Sequence, residues 1–273
     1  MSPLGGYTAP MKPALLVPTL LVLGCRPPPE VPDTEGQPDL DELVRDLFAH
    51  HADEDPSDLE RDLGWLYDWL KTWEADTRDG YQVGPLDEPT VDSLDGQDRA
   101  TAGMLGVMVG STSAHSVEEA TWAMVAVDQE EVHPERYEDY VVEYLTDLDC
   151  FLARTCARLE STEDYTAKFI MGVESINHTM NQYLWLEGEE GTAMLHRAWL
   201  PWPPEVNFSW LAVSEQFYLD AFLPWEEGHY RVQSTWMVYD QEEVPEDTVM
   251  YLVITGMQEH SEDMEAWMDA QGS

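Results

Sequence analysis

Cations are scarce in this chain: 13 Lys and Arg stand against 55 Asp and Glu, a formal net charge of −42. A nucleic-acid binder needs clustered Lys and Arg to neutralise phosphates, and the few present are scattered. Nucleic acid is therefore not an expected partner, and charge-driven docking on anionic lipid is disfavoured on the same ground. Cysteine is scarce too, with three residues at 25, 150 and 156. No apolar run approaches the roughly 20 residues of a transmembrane helix. Catalytic signatures are missing: there is no GxSxG elbow, GxGxxG turn, P-loop or HExxH. The eight His lack metal-ligand spacing. Carboxylates are so abundant that any pair of them would look catalytic. The sequence thus names no catalytic residue, no cofactor and no metal, and leaves enzymatic activity open. What is present is apolar and aromatic: 43% hydrophobic residues, with 11 Trp and 12 Tyr. That is enough for a sizeable core and unlike a disordered polyanion. Strongly hydrated acids that repel one another suit surroundings where salt screens charge.

Residues 1–10 carry no charge, and translation could start at Met1 or Met11. After Lys12 comes an apolar run from Ala14 to Leu23. As a helix it spans about 15 Å, half a bilayer, so residues 1–24 read as a signal peptide. The run ends Val22-Leu23-Gly24-Cys25, which resembles the lipobox of bacterial lipoproteins. The resemblance implies cleavage before Cys25, a diacylglyceryl group on its sulfur, acylation of the new amino terminus (palmitate among the acyl chains), and a place in the bacterial cell envelope. Arg26 rather than Asp follows the Cys, which in that family leans towards the outer membrane. Residues 25–38 are proline-rich and charged, an extended linker. The other reading is an ordinary secretory signal with an incidental Cys. Asp92, Asp95 and Asp98 surround a glycine turn but lack the ligand alternation of a calcium loop.

Residues 39–98 read as a helical hairpin and a connector. Leu40, Leu43, Val44, Leu47 and Phe48 form one apolar face, and Leu59, Leu63, Leu66, Leu70 and Trp73 a second, widened by Trp69. The turn-rich stretch 76–98 is the connector. Residues 99–273 form the main domain. Met104–Val109 is a short apolar strand, and Ser116-Val117-Glu118-Glu119 is a capping box opening a helix. His133-Pro134 is expected to start a helix carrying Tyr137, Tyr140, Val141, Tyr144 and Leu145. Strands are expected at 149–158, 166–173, 180–187, 192–199, 213–222 and 229–239, with hairpin turns at the glycines near 188–191 and 228. Tyr230, Val232, Ser234, Trp236 and Val238 share one face of the last strand. A long helix closes the chain over 246–270, with Val249, Met250, Val253, Met257, His260, Met264 and Trp267 on one side.

The fold class is therefore α+β: an N-terminal helical hairpin, then a curved antiparallel sheet gripping a long C-terminal helix. This order, with the strand and the Ser116–Asp128 helix, resembles the helix-grip fold of the START-like superfamily, which includes polyketide cyclases. The resemblance covers roughly residues 100–270 and implies an internal cavity for a hydrophobic small molecule or lipid. Trp199, Tyr218, Trp236, Val253 and Met257 are its candidate lining, with Met250 on the helical lid. Two other functions stay open: an interaction or structural module with a filled core, and a hydrolase or cyclase with convergent polar groups in the cavity. In a secreted chain Cys150 and Cys156 suggest a disulfide. In one helix they would lie about 9 Å apart and could not join. In a strand with a turn near Ala153-Arg154 they could, and two buried free thiols are the alternative.

Overall fold

The computed structural model describes residues 39–168, 172–207, 212–240 and 245–271. Cys25, the signal segment and the linker lie outside these residues, as does the side chain of Trp73. The chain opens with α1 (Leu40–His50) and α2 (Ser57–Thr77). Asp39 caps α1 by accepting from the Glu42 amide at 2.8 Å. Then come β1 (Tyr81–Val83), α3 (Glu88–Asp92), β2 (Leu105–Ser113), α4 (Val117–Val125) and α5 (Gln129–Val132). β3 (Tyr137–Tyr144), α6 (Leu148–Leu152), β4 (Arg158–Lys168), β5 (Glu174–Gly188) and β6 (Gly191–Trp199) follow. β7 (Glu205–Val206), β8 (Val213–Trp225), β9 (Gly228–Tyr239) and α7 (Glu246–Gln271) complete the chain.

The strands form one antiparallel sheet in the order β1-β2-β9-β8-β6-β5-β4-β3, with β7 paired to β5. The capping box at Ser116 is formed, and the β5–β6 and β8–β9 hairpins turn at Gly188–Gly191 and Trp225–Gly228. Three expectations are corrected. Residues 137–144 are a strand, not a helix, and 148–152 are a short helix, not a strand. Residues 81–83, read as connector, add an edge strand beside β2.

The sheet is covered on both faces. On the outer face α1 and α2 pack their leucines against Leu195, Phe217, Leu219, Tyr230, Val232 and Trp236 in one continuous core. Two arginines serve the end of α1: buried Arg197 donates to the Phe48 carbonyl at 3.0 Å, and exposed Arg158 to the His51 and Asp53 carbonyls, both at 2.7 Å. The bonds to Phe48 and His51 satisfy carbonyls that the helix C-terminus leaves open, and place positive charge where the helix dipole is negative. On the inner face α7 is held at two places. Val249, Met250, Ile254 and Met257 pack on β2 and β9. Met264 and Met268 pack with α4, Phe151, Trp185 and Phe222. Cys150 and Cys156 are joined as a disulfide with Cα atoms 5.2 Å apart, closing the turn after α6 where Arg154 has a positive φ of 55°.

Candidate ligand cavity

Beneath α7 lies a cavity of about 310 Å³. Its roof is α7, which presents Val249, Leu252, Val253, Gly256, Met257 and His260. Its other wall is the inner face of the sheet, and the period of two decides which side chains reach it. β5 contributes Ser175, Asn177, Thr179, Asn181 and Tyr183. Glu163 and Tyr165 come from β4, His196 from β6, and Tyr218 and Asp220 from β8. β9 contributes Arg231, Gln233 and Thr235, and β3 contributes Tyr137 and Tyr140. One wall is thus mostly polar and the opposite one mostly apolar.

The polar wall is internally ordered. Arg231 Nε donates to Asp220 Oδ1 at 2.9 Å, and His196 Nδ1 lies 3.2 Å from Asp220 Oδ2. The other nitrogen of His196 lies 3.0 Å from Asn181 Oδ1, and its ring stacks on Tyr183 at 4.4 Å. Tyr183 in turn donates its hydroxyl to Glu163 Oε1 at 3.3 Å. Burial alone would raise the Asp220 carboxyl, but Arg231 and His196 together hold it below the usual carboxylate range. Glu163 has burial without a cation at contact, and its carboxyl is raised. Burial pushes the Tyr137 hydroxyl up to about 12 and those of Tyr140, Tyr165 and Tyr218 up as well, so all four stay neutral. Behind them His133 is fully buried and stacks on His260 at 3.8 Å. Arg136 ties the start of β3 to α7 through Asp263 at 2.7 Å and Glu259 at 2.6 Å.

Of the residues expected from sequence, Tyr218, Val253 and Met257 line the cavity. Trp199 and Trp236 do not: both are buried in the outer core against the helical hairpin. Because β9 is covered on both faces, the apolar alternate set, Tyr230, Val232 and Trp236, belongs to the hairpin side. The polar set between them faces the cavity. Met250 packs on β2 and β9 and stops short of the cavity. The missed residues had a signal, the alternation Ser175-x-Asn177-x-Thr179-x-Asn181 in a strand whose flanks are apolar. Asp92 and Asp95 bind Arg99, by its backbone amide and its guanidinium respectively, and do not form a cation loop. Two groups of metal-ligand type exist among the described residues, His50-Asp53-Asp58 and His115-Glu265-Asp269. Neither set lines the cavity, and their carboxylates are largely exposed.

Gly256 shows how the volume is kept. It sits within α7 on the cavity side, and a Cβ placed there meets nothing within 4 Å. Glycine inside a helix costs about 0.5–1 kcal/mol relative to alanine. Gly256→Ala should therefore raise stability by about that amount in urea unfolding while narrowing the cavity. A destabilised variant would mean that the space above Gly256 is filled.

No family model matches the sequence, and no curated protein matches it. Among solved structures the chain is similar to a START superfamily protein from Mycobacterium smegmatis, at 11% identity over 62% of this chain and 98% of that one, with a TM-score of 0.36. It is similar to a STAR-related lipid transfer protein from Xanthomonas axonopodis at 12% identity, over 63% of this chain and 90% of that one, TM-score 0.39. It is also similar to human StAR-related lipid transfer protein 5 at 10% identity, over 80% of this chain and 100% of that one, TM-score 0.39. The likeness is distant and one of fold, a helix-grip arrangement in which a long C-terminal helix packs on an antiparallel sheet.

Proposed function

We propose that this chain binds an amphipathic small molecule beneath α7, its apolar flank against the helix and its hydrogen-bonding groups against the sheet. The observation that carries the reading is the two-sided cavity itself. Close-packed interiors leave few voids larger than a water molecule. A void of about 310 Å³ is at the lower end of small-molecule sites. Polar groups facing it must also be met by water or a ligand, because an unmet buried polar group costs free energy. Native mass spectrometry of the purified chain should show a bound species. Val253→Trp, whose indole would occupy the cavity, should abolish that species and leave the circular dichroism unchanged. In a filled core the same substitution would overpack and cost roughly 1–3 kcal/mol. An unfolded variant, or one that keeps its ligand, would favour the interaction-module reading.

The lipobox-like Val22-Leu23-Gly24-Cys25 supports a second, separate element of this reading: a domain held at the bacterial envelope by acyl chains on Cys25. Each buried methylene contributes about 0.8 kcal/mol, so two or three chains would hold it firmly. Cys25→Ser should release the protein from membranes or leave an unprocessed precursor. Unchanged membrane fractionation and palmitate labelling would remove the anchor from the proposal.

A further inference from the structure

Resting on the cavity reading above, we propose that the bound molecule carries an organic cation, an amine or quaternary ammonium, placed against Glu163 among the rings of Tyr137, Tyr140 and Tyr165. Among the described residues three acidic side chains line the cavity: Glu163, Asp220 and Glu259. Asp220 is joined to Arg231 and Glu259 to Arg136. The third lining cation, Lys168, is paired with Glu138 outside the cavity. Glu163 forms no ion pair with any described Lys or Arg. The group able to carry positive charge that acts on it is His196, whose two ring nitrogens are directed at Asp220 and Asn181. Glu163 is instead surrounded by hydroxyl groups of Tyr140, Tyr183 and Thr179, which orient its carboxylate without neutralising it. A cation arriving there completes the ion pair that the described lining leaves open.

The rings beside it suit the same ligand. Tyr137 and Tyr165 meet edge to face at 5.2 Å, and Tyr140 stacks on Tyr165 at 5.7 Å. Tyrosine faces attract cations through the ring quadrupole, most strongly where water is excluded. Burial keeps these hydroxyls neutral, so they add donors and no competing charge of their own. The net charge of −42 also draws cations towards the molecule and repels anions. A carboxylate or phosphate ligand would meet both that field and Glu163. An uncharged ligand accepting a hydrogen bond from protonated Glu163 is the competing occupant, and it would gain nothing from a positive charge.

Equilibrium dialysis with benzyltrimethylammonium and its uncharged isostere neopentylbenzene separates these cases. The cation should bind the wild-type chain at least about ten-fold more tightly than the isostere. Glu163→Gln, which keeps the shape and a hydrogen-bond donor, should remove that preference and leave isostere binding unchanged. Tyr165→Phe, which keeps the ring face, should retain it; Tyr165→Leu should lose most of it and provides the test if Glu163→Gln does not fold. Equal binding of both probes, each blocked by Val253→Trp, would overturn the cation and leave the cavity reading standing. Binding of neither probe, with no species bound in native mass spectrometry, would overturn both.

Discussion

Trp236→Ala should destabilise the fold by roughly 3–5 kcal/mol and leave ligand binding in the cavity unchanged. Trp236 is fully buried in the outer core. Its Nε1 donates to the Gly84 carbonyl at 2.9 Å, and its ring meets Phe48 edge to face at 5.5 Å. It lies over its cross-strand partner Gly106, where an added Cβ would come within 2.6 Å of the indole. One side chain thus joins α1, the loop after β1, and strands β2 and β9. Truncation would open a large cavity and leave the Gly84 carbonyl without its donor. Urea unfolding gives the cost, and dialysis of benzyltrimethylammonium gives the second readout. A loss below about 1 kcal/mol, or an altered affinity, would return Trp236 to the ligand site.

Acidification from about pH 6.5 to about pH 5 should cost on the order of 2 kcal/mol through His229 alone. Burial lowers its pKa from 6.5 to about 4, against the opposing effect of the hydrogen bond from Nδ1 to the His115 carbonyl at 2.7 Å. The unfolded chain takes up a proton near pH 6.5, whereas the folded chain does so only near pH 4. Between those values the unfolded state binds more protons, so stability falls as pH falls. His133, lowered to about 4 by burial and by Arg231, acts in the same direction, as does His260. Glu163 works the other way: its raised carboxyl makes the folded state the stronger proton binder just above pH 4.5. The histidines dominate the upper part of the window because several act together. His229→Gln retains a side-chain N–H for the carbonyl and should flatten the dependence of the urea midpoint on pH. Identical slopes in the two proteins would exclude His229 as a source.

The parts of this fold that could be read from sequence are those whose pattern has one physical cause. The α1 and α2 stripes, the Ser116 capping box and the glycine-bearing hairpins each follow from local periodicity or turn chemistry. β3 could not be read that way. Tyr137 and Tyr140, three apart, both line the cavity, a spacing that belongs to helices. Here it arises because the register with β4 shifts between Glu138 and Val141, with Asp139 at a positive φ of 55°. A bulge inserts an extra residue and turns two odd-spaced side chains to one face. The cavity was hidden for a related reason. In a sheet covered on one side, polar alternate residues mean solvent. In this one the hairpin claims the apolar set, so polar residues mark the interior site, and nothing local in β9 distinguishes the two cases.

The attachment of α7 at two places has a consequence for how anything enters or leaves. Local opening of a protein follows the regions with the least buried apolar contact. α7 roofs the cavity along residues 249–264, whereas the central strands beneath it are paired along both edges and packed on the hairpin. A transient lift of α7, which must release the ion pairs of Arg136 to Glu259 and Asp263, would uncover the cavity while α1, α2 and the outer core stay closed. Exchange of the proposed occupant is then a matter of how often one helix lifts rather than of global unfolding, and retention and fold stability become separately tunable properties of the same chain.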